Sequence, residues 1–280
     1  MGRLHRALMR HHGQMHAQPG VGTRSDTPVA ADADVEISEA VTPVPESPDS
    51  SAPEHGYLPA TSFRSRRSAL SGAQRQIWDR LWPELGISEV PQHSAPLETG
   101  AWFGRKAPVV LEIGCGSGIS TLAMAQDEPD IDVIAVEVYR RGLAQLLSSI
   151  DREQVRNIRL IRGNGIDVLQ YLVAPASLTG VRVFFPDPWP KARHHKRRFL
   201  QAATVGLIAD RLLPGGVLHA ATDHPGYAEQ IAEVGDGESR LCRVHPGSPL
   251  PISVARPTTK YEMKAHETGS SVTELIWKRR

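Results

Sequence analysis

From residue 107 onward, short apolar runs alternate with segments of helical periodicity. The apolar runs are PVVLEIG, DVIAVEV, IRLIRGN, VRVFFPD and VLHAATD, and helical patterns such as YRRGLAQLLSSIDREQ separate them. Strands that alternate with helices indicate parallel pairs joined by crossovers, with both faces of the sheet covered. This alternation restricts the chain to an α/β fold.

Two further runs, RLCRV and SVTELIWKR, have no helical pattern between them, which predicts an antiparallel pair at the end of the sheet. The sequence therefore predicts a mostly parallel, seven-stranded sheet with a final antiparallel pair and helices on both faces. Upstream, SALSGAQRQIWDRLWPELGI has apolar residues at a four-residue step, typical of an amphipathic helix, and Pro83 should interrupt it.

Residues 1–60 carry four basic and eight acidic side chains and few large apolar ones. Such a segment buries too little apolar surface to offset its ordering entropy, so it is predicted to be a disordered tail; an RNA-contacting or regulatory arm is the alternative. The folded domain should then span residues 61–280. Two cysteines are too few for a disulfide framework, and no apolar run is long enough for a membrane span, which favours a cytoplasmic protein.

The stretch LEIGCGSGIS, residues 111–120, lies at a predicted strand-to-helix turn and contains Gly114, Gly116 and Gly118. Glycines in such a turn let a ligand approach the main chain, although strand–helix packing alone would also explain them. The dinucleotide fingerprint places its third glycine one residue later than this chain does. Glu112, just before the turn, suits a cationic ligand such as S-adenosylmethionine.

Polar side chains end the next two predicted strands. Glu137 ends the second strand, where an acidic residue typically accepts hydrogen bonds from ribose hydroxyls. Asn164 follows the third strand, and its side-chain oxygen could accept from an adenine amino group or simply form a turn.

The fourth strand leads into FFPDPWPKARHHKRR, residues 184–198. Ligands of open α/β sheets bind outside the carboxyl ends of the strands, so Asp187, fixed between two prolines, should face the cofactor. Trp189 could stack on a base or close the edge of the core. The cationic run is either the solvated start of a helix or a surface for a polyanion. Its predicted RNA contacts are Arg193, His194, His195, Lys196, Arg197 and Arg198.

Two later stretches should reach the same edge of the sheet. ATDHPGY ends the fifth strand with Asp223, and RPTTKYE precedes the last strand. The polar side chains of the second stretch could read a base edge or form an ordinary polar loop. They are Thr258, Thr259, Lys260, Tyr261 and Glu262.

Taken in order, LEIGCGSG, FFPDPWPKARHHKRR, ATDHPGYAE and RPTTKYE resemble the bacterial tRNA (guanine-N7)-methyltransferases, over about residues 62–280. The resemblance implies a Rossmann-like class I methyltransferase that acts on N7 of guanine 46 in the tRNA variable loop and needs no metal. It implies no membrane and no obligate protein partner. Many members have an aspartate in place of Asn164 and a histidine in place of Pro190.

The resemblance also implies roles for individual residues. Glu112, Glu137, Asn164 and Asp187 would line the site of S-adenosylmethionine, whose product is S-adenosylhomocysteine, and Asp187 would be catalytic. The substrate would be held by Lys191, Asp223, Thr259, Lys260, Tyr261 and Glu262. The alternatives are another class I methyltransferase, a nicotinamide-dependent dehydrogenase, or a non-catalytic RNA-binding module on the same fold.

Overall fold

The computed structural model describes residues 69–88, 90–92, 95–245, 247–258 and 271–280. The predicted tail at 1–60 lies outside the described residues. So do Thr259, Lys260, Tyr261 and Glu262 of the RPTTKYE stretch.

The described strands form one sheet in the order β1-β4-β3-β2-β5-β6-β8-β7. Neighbouring strands from β1 to β6 are parallel, and β8 runs antiparallel to both β6 and β7. The strands are β1 Gly86–Ile87, β2 Val109–Ile113, β3 Asp132–Glu137, β4 Ile158–Arg162, β5 Leu178–Phe184, β6 Leu212–Thr222, β7 Leu241–Arg243 and β8 Thr273–Arg279. The predicted sheet, mostly parallel with a final antiparallel pair, is confirmed, and the two-residue β1 adds an eighth strand at its edge.

Helices cover both faces of the sheet, as predicted. Alternate residues of β3 show the two sides: Val133 belongs to the core cluster that contains α1 and α4, whereas Ile134 belongs to the cluster that contains α6 and α7. The helices are α1 Gly72–Leu85, α2 Thr99–Phe103, α3 Ile119–Asp127, α4 Arg140–Glu153, α5 Gly165–Asp167 followed by a π-helix Val168–Leu172, a 3-10 helix Ala192–Arg197, α6 Ala202–Arg211 and α7 Pro225–Gly237.

Two helix predictions need correction. Helix α1 continues through Pro83 to Leu85; the proline removes one backbone donor, but only two helical residues follow it. The helix predicted to begin in the cationic run starts only at Ala202. Before it, the chain leaves the 3-10 helix at Arg198, which has an extended backbone and a buried side chain.

The strand order reverses between β2 and β5. From β2 the chain adds β3 and β4 on one side, and then crosses to add β5 and β6 on the other. Ile113 at the end of β2 lies opposite Val183 near the end of β5. The loops that follow these two strands therefore flank one crevice, at the switch point where ligands of α/β sheets bind.

Candidate active site

The glycine loop after β2 has room for a ligand at two of its three glycines. Gly114, Gly116 and Gly118 all have positive φ, at 79°, 57° and 76°. A Cβ built on Gly114 or Gly116 would meet nothing within 4 Å, whereas one on Gly118 would lie 2.5 Å from Leu146 of α4. Strand–helix packing thus explains Gly118 alone, and the first two glycines border open space.

Glu112 lies directly before this loop and is 3% exposed. Its Oε1 accepts a hydrogen bond of 2.9 Å from the Thr121 hydroxyl, while Oε2 has no partner among the described residues. Burial raises the pKa of Glu112, against the opposing effects of the Arg182 cation and the Thr121 hydrogen bond. A buried carboxylate oxygen without a donor fits a cationic ligand, such as the ammonium group of S-adenosylmethionine.

Glu137, at the end of β3, fixes the glycine loop from the side. Its Oε2 accepts from the backbone N–H of Gly116 at 3.0 Å, and its Oε1 accepts from those of Val138 and Tyr139 at 2.7 and 3.0 Å. A carboxylate has about four lone-pair sites, so acceptor capacity remains for a ribose hydroxyl. Sequence reasoning did not foresee the role in holding the loop.

Asn164 follows β4 and caps the next helix, α5. Its Oδ1 accepts from the backbone N–H of Ile166 at 3.0 Å, as an ordinary N-cap does. The described contacts of Asn164 are therefore those of a turn former, and its contact with adenine remains a prediction.

Asp187 is exposed on the loop that follows β5. The two aromatic residues near it, Phe185 and Trp189, have φ of 50° and 41°, a region that non-glycine residues occupy only under strain. The Phe185 N–H donates to the carbonyl oxygen of Ala221 in β6 at 2.8 Å, which ties the loop to the neighbouring strand. Asp223, also exposed, is the first residue after that strand.

The side chain of Arg198, a predicted RNA contact, is buried within the protein, and its contact with RNA remains a prediction. Arg198 is 3% exposed, because its guanidinium lies over the Tyr227 ring at 4.7 Å. Its Nε donates to the Pro188 carbonyl at 2.8 Å, and its Nη1 donates to the Gly226 carbonyl and to Gln230 Oε1 at 3.2 and 2.6 Å. Arg198 thus holds the Asp187 loop against α7. Burial, with a contribution from the charge of Asp187, raises the pKa of Tyr227 to about 12.

Replacing Arg198 with methionine should lower the free energy of unfolding by about 2–4 kcal/mol, because buried carbonyl acceptors lose a charged donor. Arg193→Met is the matched control, since Arg193 is exposed and its loss should change stability by less than about 0.5 kcal/mol. Urea denaturation of both variants measures the difference. Equal stability of the two would contradict the structural role of Arg198.

The remaining cations of the run stay accessible on or beside the 3-10 helix. Lys191, Arg193 and Lys196 are exposed, and Arg197 lies over the Trp189 ring at 5.0 Å. Residual burial and the surrounding cations lower the pKa of His194. We call residues 191–197 the basic segment; its position next to the Asp187 loop agrees with a polyanionic substrate.

Sequence reasoning also missed Arg256, the first residue of RPTTKYE. Its guanidinium lies 5.0 Å from the Phe185 ring centre and 5.7 Å from that of Phe184. Its Nη2 is 3.0 Å from Glu274 of β8. The start of RPTTKYE is therefore anchored at the base of the Asp187 loop. The signal was present in the sequence, because this arginine directly precedes the residues assigned to the substrate.

The part of the chain that the structure describes shows neither a metal-binding cluster nor a membrane-spanning helix. No group of three His, Cys, Asp or Glu side chains there could hold a metal ion. No helix there has the length and apolarity to cross a bilayer. An apolar cavity lies between Leu97, Val109, Ile134 and Leu172, but no ionisable side chain lines it, so it offers no acid–base chemistry.

Several known proteins resemble this chain in sequence or in fold. Residues 106–275 match the family described as "Putative methyltransferase". Proteins named tRNA (guanine-N(7)-)-methyltransferase are 69% identical in Mycolicibacterium paratuberculosis, over 97% of this chain and all of the relative, and 74% identical in Mycobacterium leprae, over 80% and 98%. The solved 16S rRNA methyltransferase KamB matches with a TM-score of 0.46 and 14% identity, over 67% of this chain and 95% of that one. The chain belongs to the tRNA (guanine-N7)-methyltransferase family.

Proposed function

We propose that the protein transfers a methyl group from S-adenosylmethionine to N7 of guanine 46 in the variable loop of tRNA. The products are 7-methylguanosine and S-adenosylhomocysteine. One observation carries the proposal: β2 and β5 end side by side. The glycine loop, next to Glu112, and the Asp187 loop therefore flank the same crevice. The names of the relatives supply the nucleoside.

The residues around the glycine loop fit the cofactor. Gly114 and Gly116 leave space along the backbone, and Glu112 Oε2 would accept from the ammonium group. Glu137 would accept from the ribose, and Asn164 would accept from the adenine amino group. When bound, S-adenosylmethionine supplies an electrophilic methyl group on a sulfonium.

Methylation of guanine N7 does not require a strong catalytic base. N7 carries a lone pair and no proton, so it needs orientation in line with the methyl group rather than deprotonation. Orientation alone accounts for about 7–11 kcal/mol of a barrier in well-aligned reactions. Asp187 would accept from the N1–H and N2–H₂ edge of the guanine and stabilise the positive charge that the ring acquires. Lys191, Asp223 and the stretch from Thr259 to Glu262 would hold the nucleotide.

The basic segment would bind the tRNA backbone and release counterions. Arg193→Gln should therefore weaken tRNA binding and reduce the slope of log K against log salt by about one unit. Filter binding over a salt series measures both values. Arg152→Gln is the matched control, because Arg152 is exposed at the end of α4, on the opposite edge of the sheet. An unchanged slope for Arg193→Gln would exclude this residue from the phosphate contacts.

Labelled S-adenosylmethionine and unmodified tRNA test the function directly. Nucleoside analysis should find the label in 7-methylguanosine, and a tRNA with adenine at position 46 should accept none. Label in another nucleoside would favour a different methyltransferase. Binding of tRNA without any methyl transfer would favour the RNA-binding module.

A further inference from the structure

A row of buried polar side chains lies beneath the crevice. Glu112 in β2, Arg182 in β5 and His219 in β6 are register partners on adjacent strands, so their side chains project from the same face. Each is at most 3% exposed. Several of their polar atoms have no partner among the described residues: Glu112 Oε2, Arg182 Nε and Nη1, and His219 Nδ1.

Arg182 also holds a segment that crosses this face, residues 250–258, which we call the strap. Its Nη2 donates to Glu128 Oε2 at 2.6 Å and to the Ser253 carbonyl at 3.2 Å, while the Ser253 N–H donates to Glu128 Oε1 at 2.6 Å. Next to this ring of contacts, Ile252 packs closely on Gly180, where a Cβ would lie 2.5 Å from Ile252 Cδ1. Arg182 therefore fixes the strap that leads into the proposed substrate-binding stretch, Thr259 to Glu262.

The charge of Arg182 acts on Glu112 as well. Burial raises the pKa of Glu112, and the Arg182 cation lowers it. Among the described residues, the Thr121 hydroxyl also lowers the pKa of Glu112. Burial raises the pKa of the Cys115 thiol, and the charges of Glu112 and Glu137 add to that effect. The partner of Glu112 in β3, Ala135, has no charge.

The groups around Arg182 add no second cation next to Glu112. Glu128 accepts from the guanidinium, and burial lowers the pKa of His219, which favours the neutral imidazole. Arg256, at the far end of the row, pairs with Glu274. Arg182 is thus the cation whose charge supports the anionic form of Glu112.

We propose that Arg182 is a positioning residue with two separable roles: its charge compensates the Glu112 carboxylate that receives the cofactor, and its Nη2 donor anchors the strap that carries the substrate-binding stretch. The inference rests on the proposed function. It assigns a role to a residue that lies beneath the crevice and acts through Glu112, Glu128 and Ser253.

Two substitutions separate the roles. Arg182→Lys keeps the charge, but its ammonium nitrogen lies one bond nearer the backbone than Nη2 and should not reach Glu128 and Ser253 together. Its tRNA affinity should therefore fall several-fold, while the pH dependence of cofactor affinity stays unchanged. Arg182→Met should lose tRNA affinity to a similar degree and also move the acidic midpoint of cofactor affinity upward by about one pH unit. Calorimetry between about pH 5 and 9 gives the midpoint, and filter binding gives the tRNA affinity.

The double variant Glu112→Gln/Arg182→Met identifies the group responsible. Without a carboxyl group at position 112, the acidic midpoint of cofactor affinity should disappear both in Glu112→Gln and in the double variant. Arg159→Lys and Arg159→Met are matched controls, because Arg159 is a buried arginine of β4 whose guanidinium bonds to the carbonyls of Trp102, Arg156 and Ile158. They should leave both the midpoint and the tRNA affinity unchanged.

Each outcome decides one role. An unshifted midpoint in Arg182→Met, or in Arg182→Gln should the methionine variant not fold, overturns the charge role. Normal tRNA affinity in Arg182→Lys, or equal losses in the Arg159 controls, overturns the anchoring role. Failure of the wild-type protein to bind S-adenosylmethionine would instead defeat the proposed function itself. Both readouts are binding measurements, so they hold whichever atom receives the methyl group.

Discussion

Replacing Asp187 with alanine should reduce the rate of methyl transfer by about 10³-fold, while tRNA affinity changes by no more than a few-fold. The side chain is exposed at the end of β5, next to the crevice, so its removal leaves no buried partner unsatisfied. On the proposed function, the basic segment would supply the affinity for the phosphate backbone. The loss should therefore appear in the chemical step, which single-turnover kinetics with labelled cofactor measure.

The conservative variant distinguishes charge from shape. Asp187→Asn retains an oxygen that can accept from the guanine edge but lacks the negative charge, so its rate should fall between those of Asp187→Ala and the wild type. Asp130→Ala is the matched control, since Asp130 is exposed beyond the end of α3, at the opposite edge of the sheet. Near-normal turnover of Asp187→Ala would refute the catalytic role.

Replacing Glu112 with glutamine should weaken the binding of S-adenosylmethionine by about 100-fold, since a charge-assisted hydrogen bond to a buried carboxylate is lost. Burial raises the pKa of Glu112 in the folded protein. The wild type should therefore bind fully above this pKa and lose affinity as the pH falls through it. In Glu112→Gln the acidic limb should be absent.

The raised pKa of Glu112 also predicts how stability depends on pH. Its contribution to stability should increase as the pH falls, whereas that of an acid with a lowered pKa decreases. The folded state binds a proton to Glu112 more tightly than the unfolded state does, so the burial penalty is present above the raised pKa and relieved as the pH falls. Glu112→Gln should then be no less stable than the wild type at neutral pH, which thermal unfolding checks. Glu153→Gln, at the exposed end of α4, controls for the loss of an acid. Unchanged cofactor affinity in Glu112→Gln would remove this carboxylate from the site.

The sequence allowed the sheet to be predicted because strands buried on both faces leave continuous apolar runs such as DVIAVEV. The ends of those runs also indicated Glu112 and Glu137. Two details could not be predicted: Glu112 Oε2 has no donor among the described residues, and three backbone N–H groups donate to Glu137. Both depend on how α3 and the glycine loop pack, which no local sequence pattern encodes.

Arg197 and Arg198 show where sequence reasoning ends. They are neighbours in one cationic run, yet one lies over Trp189 and the other is buried against Tyr227. Arg198 is buried because it donates hydrogen bonds to Pro188, Gly226 and Gln230. Two of these acceptors are distant in the sequence and come close to Arg198 only in the folded chain. Arg182 could have been noticed, because a charged residue in the middle of a strand buried on both faces needs a specific partner.

The carboxylate of Glu137 has a consequence for repeated turnover. By bonding to Gly116 and to the start of α4, it shapes the glycine loop when the chain folds, before any cofactor arrives. One cofactor molecule can then leave and the next can bind without rearrangement of the loop. The loop is already ordered, so cofactor binding does not include the entropic cost of ordering it.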